Sequence, residues 1–233
     1  PTAFITYEED LTNTTIPLGH IKVRINTFVN IGTGYTDGYG KVSIPKGWGG
    51  KFRNPVNYQI KFKSDEWKIL DHNSGVAKII GPQSSKGAWQ YTIRRTDAEQ
   101  SAYAAVHRAL HYIYYNQDDI ALPFALTKNR VAVYYDQHRD YYGKFYPTFE
   151  LLGAFANPVR IVGLDRQGYN LSRFVLTGST FHELGHASHW RQKGLNFAVY
   201  DDKVRESYAR AVEYYFLSRL YPNSRRDSFM DSE

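Results

Sequence analysis

Residues 182–186 read His182-Glu183-Leu184-Gly185-His186, and the rest of the chain is best read outward from them. H-E-x-x-H on an α-helix puts two imidazoles one turn apart on the same face. Two such side chains can share one zinc ion, and the glutamate beside the first can polarise a water on that metal. The flanks suit a helix. Asn170-Leu171-Ser172 can open it, Arg191-Gln192-Lys193 makes a basic last turn, and Gly194 supplies a stop. Gly178 is a poor helix former and points to a late start, near Ser179-Thr180. Gly185 leaves room for close approach of backbone or substrate.

Two histidines do not complete a catalytic zinc site, which ordinarily has three protein ligands and an open position. His189 lies on the same face, but the rise from residue 182 to 189 is about 10 Å, too long for one tetrahedral ion on one straight helix. We read His189 as a group that supports the ligands from behind, a substrate-side group, or simply a helix-surface histidine. The longer H-E-x-x-H-x-x-G-x-x-H pattern fails, because His189 replaces its glycine and Gln192 its third histidine.

The next helical segment, 203–221, offers a better ligand. Val204, Tyr208, Ala211, Val212, Tyr215, Phe216 and Leu220 recur at helical spacing, Asp201-Asp202 can cap the start, and Pro222 follows the end. Glu206 sits in its first turn and Glu213 two turns later. A helical H-E-x-x-H, a gap of about twenty residues, and a helix opening with glutamate resemble the gluzincin metallopeptidases. Glu206-Ser207-Tyr208-Ala209 with Glu213-Tyr214 is similar to the E-x-x-A…E-Y stretch of aminopeptidase-N-like members. The resemblance implies that His182, His186 and Glu206 hold one zinc ion per chain, with Glu183 as the catalytic base. Glu213 is then a reserve ligand or a partner of a ligand.

A second likeness lies upstream. Gly153-Ala154-Phe155-Ala156-Asn157, followed by Pro158-Val159-Arg160-Ile161-Val162, resembles the G-x-M-E-N segment and edge strand of the same group. In that family the edge strand pairs with the extended substrate backbone, a form of β-augmentation. The likeness implies substrate contacts at Ala154, Phe155 and Asn157. The family glutamate that binds a free α-amine is Ala156 here, which argues against aminopeptidase action.

The first third has another texture. Ile21, Val23, Ile25 and Thr27 alternate with Lys22, Arg24 and Asn26, the period of a strand. Gly32-Thr33-Gly34, Asp37-Gly38-Tyr39-Gly40 and Gly47-Trp48-Gly49-Gly50 read as turns, with further strands expected at 40–44, 57–63, 67–70 and 76–80. Tyr35-Thr36-Asp37-Gly38-Tyr39-Gly40-Lys41-Val42 is similar to the T-D-x-x-G-x-F turn of transthyretin-like carboxypeptidase regulatory domains. His20 and His72 stand alone and read as surface residues. Thr96-Asp97-Ala98-Glu99 has the form of a capping box opening a helix over 97–116, and strands follow at 130–135 and 158–164. The expected fold is α+β. An antiparallel, transthyretin-like β-sandwich spans 1–82, and a zincin-type domain spans 83–233, with a mixed sheet, its edge strand, the H-E-x-x-H helix and the glutamate helix.

Composition narrows the partners. The 233 residues contain no cysteine, which excludes disulfides and thiolate metal sites. The net charge of +6 is spread without a dense basic run, so nucleic acid is not an expected partner. No apolar run reaches the ~18 residues of a membrane helix. The chain opens at Pro1 without a signal segment, which we read as a processed or trimmed start of an exported bacterial protein (periplasmic, cell-surface or secreted). The 20 tyrosines include Tyr134-Tyr135 and Tyr141-Tyr142, candidates to line a cleft.

The expected activity is hydrolysis of peptide bonds in a peptide or protein substrate through a zinc-activated water. Glu183 moves the proton, and His189, Tyr208 or Tyr214 stabilises the oxyanion. The competing reading is a non-catalytic surface protein that binds peptide or glycan and carries a vestigial zincin domain.

Overall fold

The computed structural model describes residues 1–9, 14–53, 55–115, 122, 129–135, 141–147 and 158–222. In chain order the strands are β1 (Thr2–Glu8), β2 (Thr15–Pro17), β3 (Lys22–Asn26), β4 (Ile31–Tyr35), β5 (Lys41–Ser43), β6 (Lys46–Gly47), β7 (Gly50–Lys51), β8 (Asn57–Lys61), β9 (Trp67–Leu70), β10 (Lys78–Ile80), β11 (Trp89–Ile93), β12 (Asn129–Tyr134), β13 (Gly143–Phe145) and β14 (Val159–Val162). Three α-helices accompany them: a central helix Ala98–Tyr115, a motif helix Arg173–Lys193 and a glutamate helix Asp202–Leu220, the last two joined by a 3₁₀ turn, Gly194–Val199.

The alternation around residue 23 does form a strand. Val23 and Ile25 of β3 are fully buried while Lys22, Arg24 and Asn26 face outward, as the pleat requires. β3 lies between β4 and β8 in an antiparallel sheet of order β10-β8-β3-β4. A second sheet is built on β1. Along one edge β1 takes β5 at its start and β2 at its end, both antiparallel; along the other it takes β11. The Tyr58 hydroxyl donates to the Thr2 carbonyl at 3.1 Å and joins the two sheets. An all-antiparallel layer does not form, because the β1–β11 pairing is parallel.

The third sheet has the order β13-β14-β12-β9, with β9, β12 and β14 parallel and β13 antiparallel to β14. Strand pairing therefore crosses residue 82 in both directions: β9 joins the third sheet, and β11 returns to β1. Val159–Val162 also corrects an expectation. It is an internal strand, and among the described residues the sheet ends at β13 on one side and β9 on the other. Val159, Ile161 and Val162 are almost fully buried, which suits a strand with a neighbour on each side.

The central helix packs against the motif helix and touches β9 and β11. Ala102, Ala104, Ala105 and Ala109 are all buried, so small side chains let neighbours approach on several faces, not only along Tyr103, Val106, Leu110 and Ile113. The helix begins at Ala98, but its first residues are not bonded as a capping box. Asp97 O accepts from Ser101 N–H as an ordinary helical bond, Asp97 Oδ2 accepts from Arg94 N–H, and the Glu99 carboxylate accepts from the Tyr103 hydroxyl at 2.6 Å. Glu9, wholly buried at the end of β1, forms an ion pair with Arg108 of this helix and accepts from the hydroxyls of Tyr7 and Tyr221. That network ties the N-terminal strand to the far end of the glutamate helix. Among the described residues no helix is long and apolar enough to cross a membrane.

His20 is not isolated. Its Nδ1 lies 2.9 Å from His111 Nε2, and its ring stacks on Tyr115 at 4.0 Å. His72 is exposed beside Asn73, as expected. One turn before His111, His107 is 1 % exposed and accepts at Nδ1 from Trp67 Nε1, which leaves Nε2–H to donate to Gly19 O. Both nitrogens are then used by the neutral ring. Burial holds His107 down to about 3 and His111 down to about 4.

These two histidines make stability depend on pH. Their folded values lie below the unfolded value near 6.5, so stability is complete above that pH. It falls as the unfolded chain takes up protons first, by up to about 1.4 kcal/mol per pH unit per histidine. Urea unfolding between pH 7 and pH 5 should therefore lose stability less steeply in His107→Gln or His111→Gln than in the wild type. Equal slopes in all three proteins would contradict the assignment.

Candidate metal centre and cleft

The motif helix starts early, at Arg173, with Ser172 Oγ accepting from Val175 N–H. Gly178 does not delay it, because that glycine serves packing. A Cβ there would lie 2.9 Å from Leu217 Cδ1, and one at Gly185 would lie 2.9 Å from Ala209 Cα. At both glycines, two turns apart, the glutamate helix packs too close for a Cβ, and their partners run in reverse order, so the helices are antiparallel. Phe181 stacks on Phe216 at 5.3 Å within the same contact. On the glutamate helix the buried seam is Ala209, Val212, Phe216 and Leu217; Val204 and Ala211, expected on it, are exposed. Asp201 caps that helix through Lys203 N–H.

This crossing brings His182, His186 and Glu206 together. One candidate ligand atom from each lies within 4.8 Å of the others. Glu206 straddles the two rings, with Oε2 3.1 Å from His182 Nε2 and Oε1 3.2 Å from His186 Nε2. Donors that share a tetrahedral ion at about 2.0–2.1 Å stand roughly 3.3 Å apart. Glu213 Oε2 takes the other side of His182, 3.1 Å from Nδ1. A carboxylate on that nitrogen holds the proton at Nδ1 and turns the Nε2 lone pair toward Glu206 and His186. The donor set fits a divalent metal, and two imidazoles with one carboxylate are a known catalytic zinc set.

Glu183 is 5 % exposed. Burial raises its carboxyl to about 8. The charge of His182 and the Phe145 N–H, which donates to it, pull the other way, while Glu206 and Glu213 push it further up. A divalent cation at the neighbouring ligands would favour its ionised form. Burial lowers His182, but the hydrogen bond with Glu213 and the charges of Glu183, Glu213 and Glu206 outweigh it and leave the ring raised. His186 is held down to about 4 by burial and by the charge of His182.

A cleft opens over these groups in two lobes that share Gly143, His182 and Glu183. One, of about 400 Å³, is walled by Tyr141, Lys144, Phe145, Pro147, Phe197, Arg205 and Glu206; the other, of about 280 Å³, by Tyr142, Ser179, Arg210 and Glu213. The edge strand β13 forms the shared wall, and it presses so closely that a Cβ on Gly143 would lie 2.6 Å from Glu183 Cγ.

Of the expected substrate contacts, Ala154, Phe155 and Asn157 lie outside the described residues. His189 packs against Phe197, Tyr200 and Tyr208, with its ring stacked on Tyr208 at 4.5 Å, and lines neither lobe. Tyr208 reaches Ser188 at 3.4 Å, Tyr214 is exposed, and neither lines a lobe. The cleft contains Tyr141 and Tyr142, named above as candidates to line a cleft, together with Lys144 and Arg205, which sequence reasoning did not single out. The tyrosine pair 141–142 was the one available signal.

Gly185→Val should push the glutamate helix outward and weaken metal binding at least tenfold while leaving helix content unchanged, read by metal titration beside circular dichroism. Glu213→Gln should weaken it about 10–100-fold without abolishing it, since Glu213 holds a ligand and is not one. Wild-type affinity in Gly185→Val, or complete metal loss in Glu213→Gln, would contradict this geometry. No protein-family model matches the chain, and no similar curated protein or solved structure is found.

Proposed function

We propose that this protein is a zinc-dependent metallopeptidase that hydrolyses internal peptide bonds. The observation that carries the reading is the buried Glu183 carboxylate. It lies between an edge strand and a His182–His186–Glu206 ligand set, at the point where the two lobes of an open cleft meet. A general base needs to sit beside the reacting atoms with a raised proton affinity, and a binding module has no use for such a group.

Zinc held by the two imidazoles and Glu206 would supply a Lewis acid and make water more acidic. The chain's own residues then have separable tasks. Glu183 accepts the proton of the attacking water and hands it to the leaving amine nitrogen. Glu213 keeps His182 in the tautomer that presents Nε2. β13 lies at the sheet edge along the cleft, so an extended substrate beside it continues the sheet through main-chain hydrogen bonds. A scissile bond at the junction of the lobes leaves peptide on both sides, in keeping with Ala156 in place of an amine-binding acid. Tyr141 and Arg205 are the donors in the cleft wall suited to the oxyanion.

Glu183→Gln should retain metal and fold yet lose at least about a hundredfold in turnover of a quenched-fluorescence peptide library. Cleavage at the wild-type rate in that variant would overturn the proposal.

A further inference from the structure

Outside the residues that line the cleft, two turns meet at the tip of the N-terminal sheets. Thr27 N–H donates to Asn30 O, and Asn30 N–H to Thr27 Oγ1, which closes a four-residue turn with Phe28 and Val29 at its apex. The β6–β7 hairpin lies alongside. Trp48 N–H donates to Ile31 O at 2.9 Å, Gly49 N–H to Asn30 Oδ1 at 2.9 Å, and Asn30 Nδ2 to Gly50 O at 2.8 Å. Asn30 is 4 % exposed, so a buried amide clamps the turns together. The clamp holds large apolar side chains outward: Phe28 is 104 % exposed, Trp48 95 % and Val29 74 %. A folded chain does not ordinarily fix its bulkiest apolar groups at full exposure.

The surrounding charge identifies the occupant. Residues 27–31 and 45–53 contain Lys46, Lys51 and Arg53, all exposed, and no acidic residue. Lys46 and Lys51 face each other across the hairpin behind Trp48. A convex apolar tip with a cationic collar matches a bilayer surface, where aromatic rings settle at headgroup depth and lysines meet anionic lipid. It is less suited to a protein partner, since a few projecting side chains fall well short of the ~800 Å² per side of a stable protein interface.

We propose that this tip docks the protein on anionic membranes by inserting Phe28, Val29 and Trp48 into the interface. The proposal is independent of the metallopeptidase reading. Because the tip is preformed, docking requires little further ordering of the chain.

The tryptophans provide the test. Trp67, Trp89 and Trp190 are 0 %, 7 % and 7 % exposed, so wild-type fluorescence quenching by acrylamide reports chiefly on Trp48. Vesicles of phosphatidylcholine with phosphatidylglycerol should co-sediment the full chain, shift its emission to the blue and shield it from acrylamide, with the effect reduced by salt. Phe28→Ser and Trp48→Ala, both at exposed positions, should keep the wild-type melting temperature and reduce co-sedimentation about tenfold each. Lys46→Glu with Lys51→Glu should remove the preference over pure phosphatidylcholine vesicles. The proposal is overturned if neither vesicle is bound, or if binding leaves Trp48 as quenchable as in solution. It is also overturned if wild type binds no vesicle and forms dimers that Phe28→Ser abolishes, which would assign the tip to a second copy of the chain.

Discussion

The site depends on one close helix crossing. Gly178 and Gly185 strip the motif helix of side chains along one stripe, and Ala209 and Val212 of the glutamate helix settle into it. Only at that separation can Glu206 span two imidazoles while Glu213, two turns on, reaches the back of one of them. The glycines cost helix propensity, roughly 1 kcal/mol each relative to alanine. Packing offsets that cost through Phe181 on Phe216 and the buried seam of the second helix.

The crossing concentrates negative charge. Glu183, Glu206 and Glu213 all act on His182, and burial with the other carboxylates raises Glu183. A divalent cation between the imidazoles and Glu206 would balance such a cluster, and its parts already differ in position. Glu206 is half-exposed and faces both rings. Glu213 is turned to the opposite ring nitrogen. Glu183 is buried under β13. Three glutamates in one small volume thus acquire separate chemistry from their surroundings.

Much of this could be read in the sequence where the signal is local. The histidine pair, its neighbouring glutamate, the caps at Asp201 and Gly194, and the alternation through β3 all depend on spacing within one element, and Glu206 could be reached by resemblance. What was lost depends on partners distant in sequence. Gly178 reads as a weak helix position until Leu217 and Glu213 are seen against it. His20 reads as solitary until His111 comes within 2.9 Å. The edge strand was sought at 158–162 by resemblance; the edge that lies along the cleft, Gly143–Phe145, has three residues and no periodicity to show. Periodicity likewise finds β9 without naming the sheet it joins, and β11 was not expected at all. Tyr208 and Tyr214 lie on the right helix but turn away from the cleft, a matter of helical phase that only the crossing fixes.

The central claim is that His182, His186 and Glu206 form one metal centre. Inductively coupled plasma mass spectrometry on protein purified after zinc reconstitution and gel filtration, wild type beside Glu206→Ala, tests it most directly. The account predicts one zinc per wild-type chain and a large loss in the variant. A wild-type chain that retains no zinc, or a Glu206→Ala chain that retains it fully, would contradict the account.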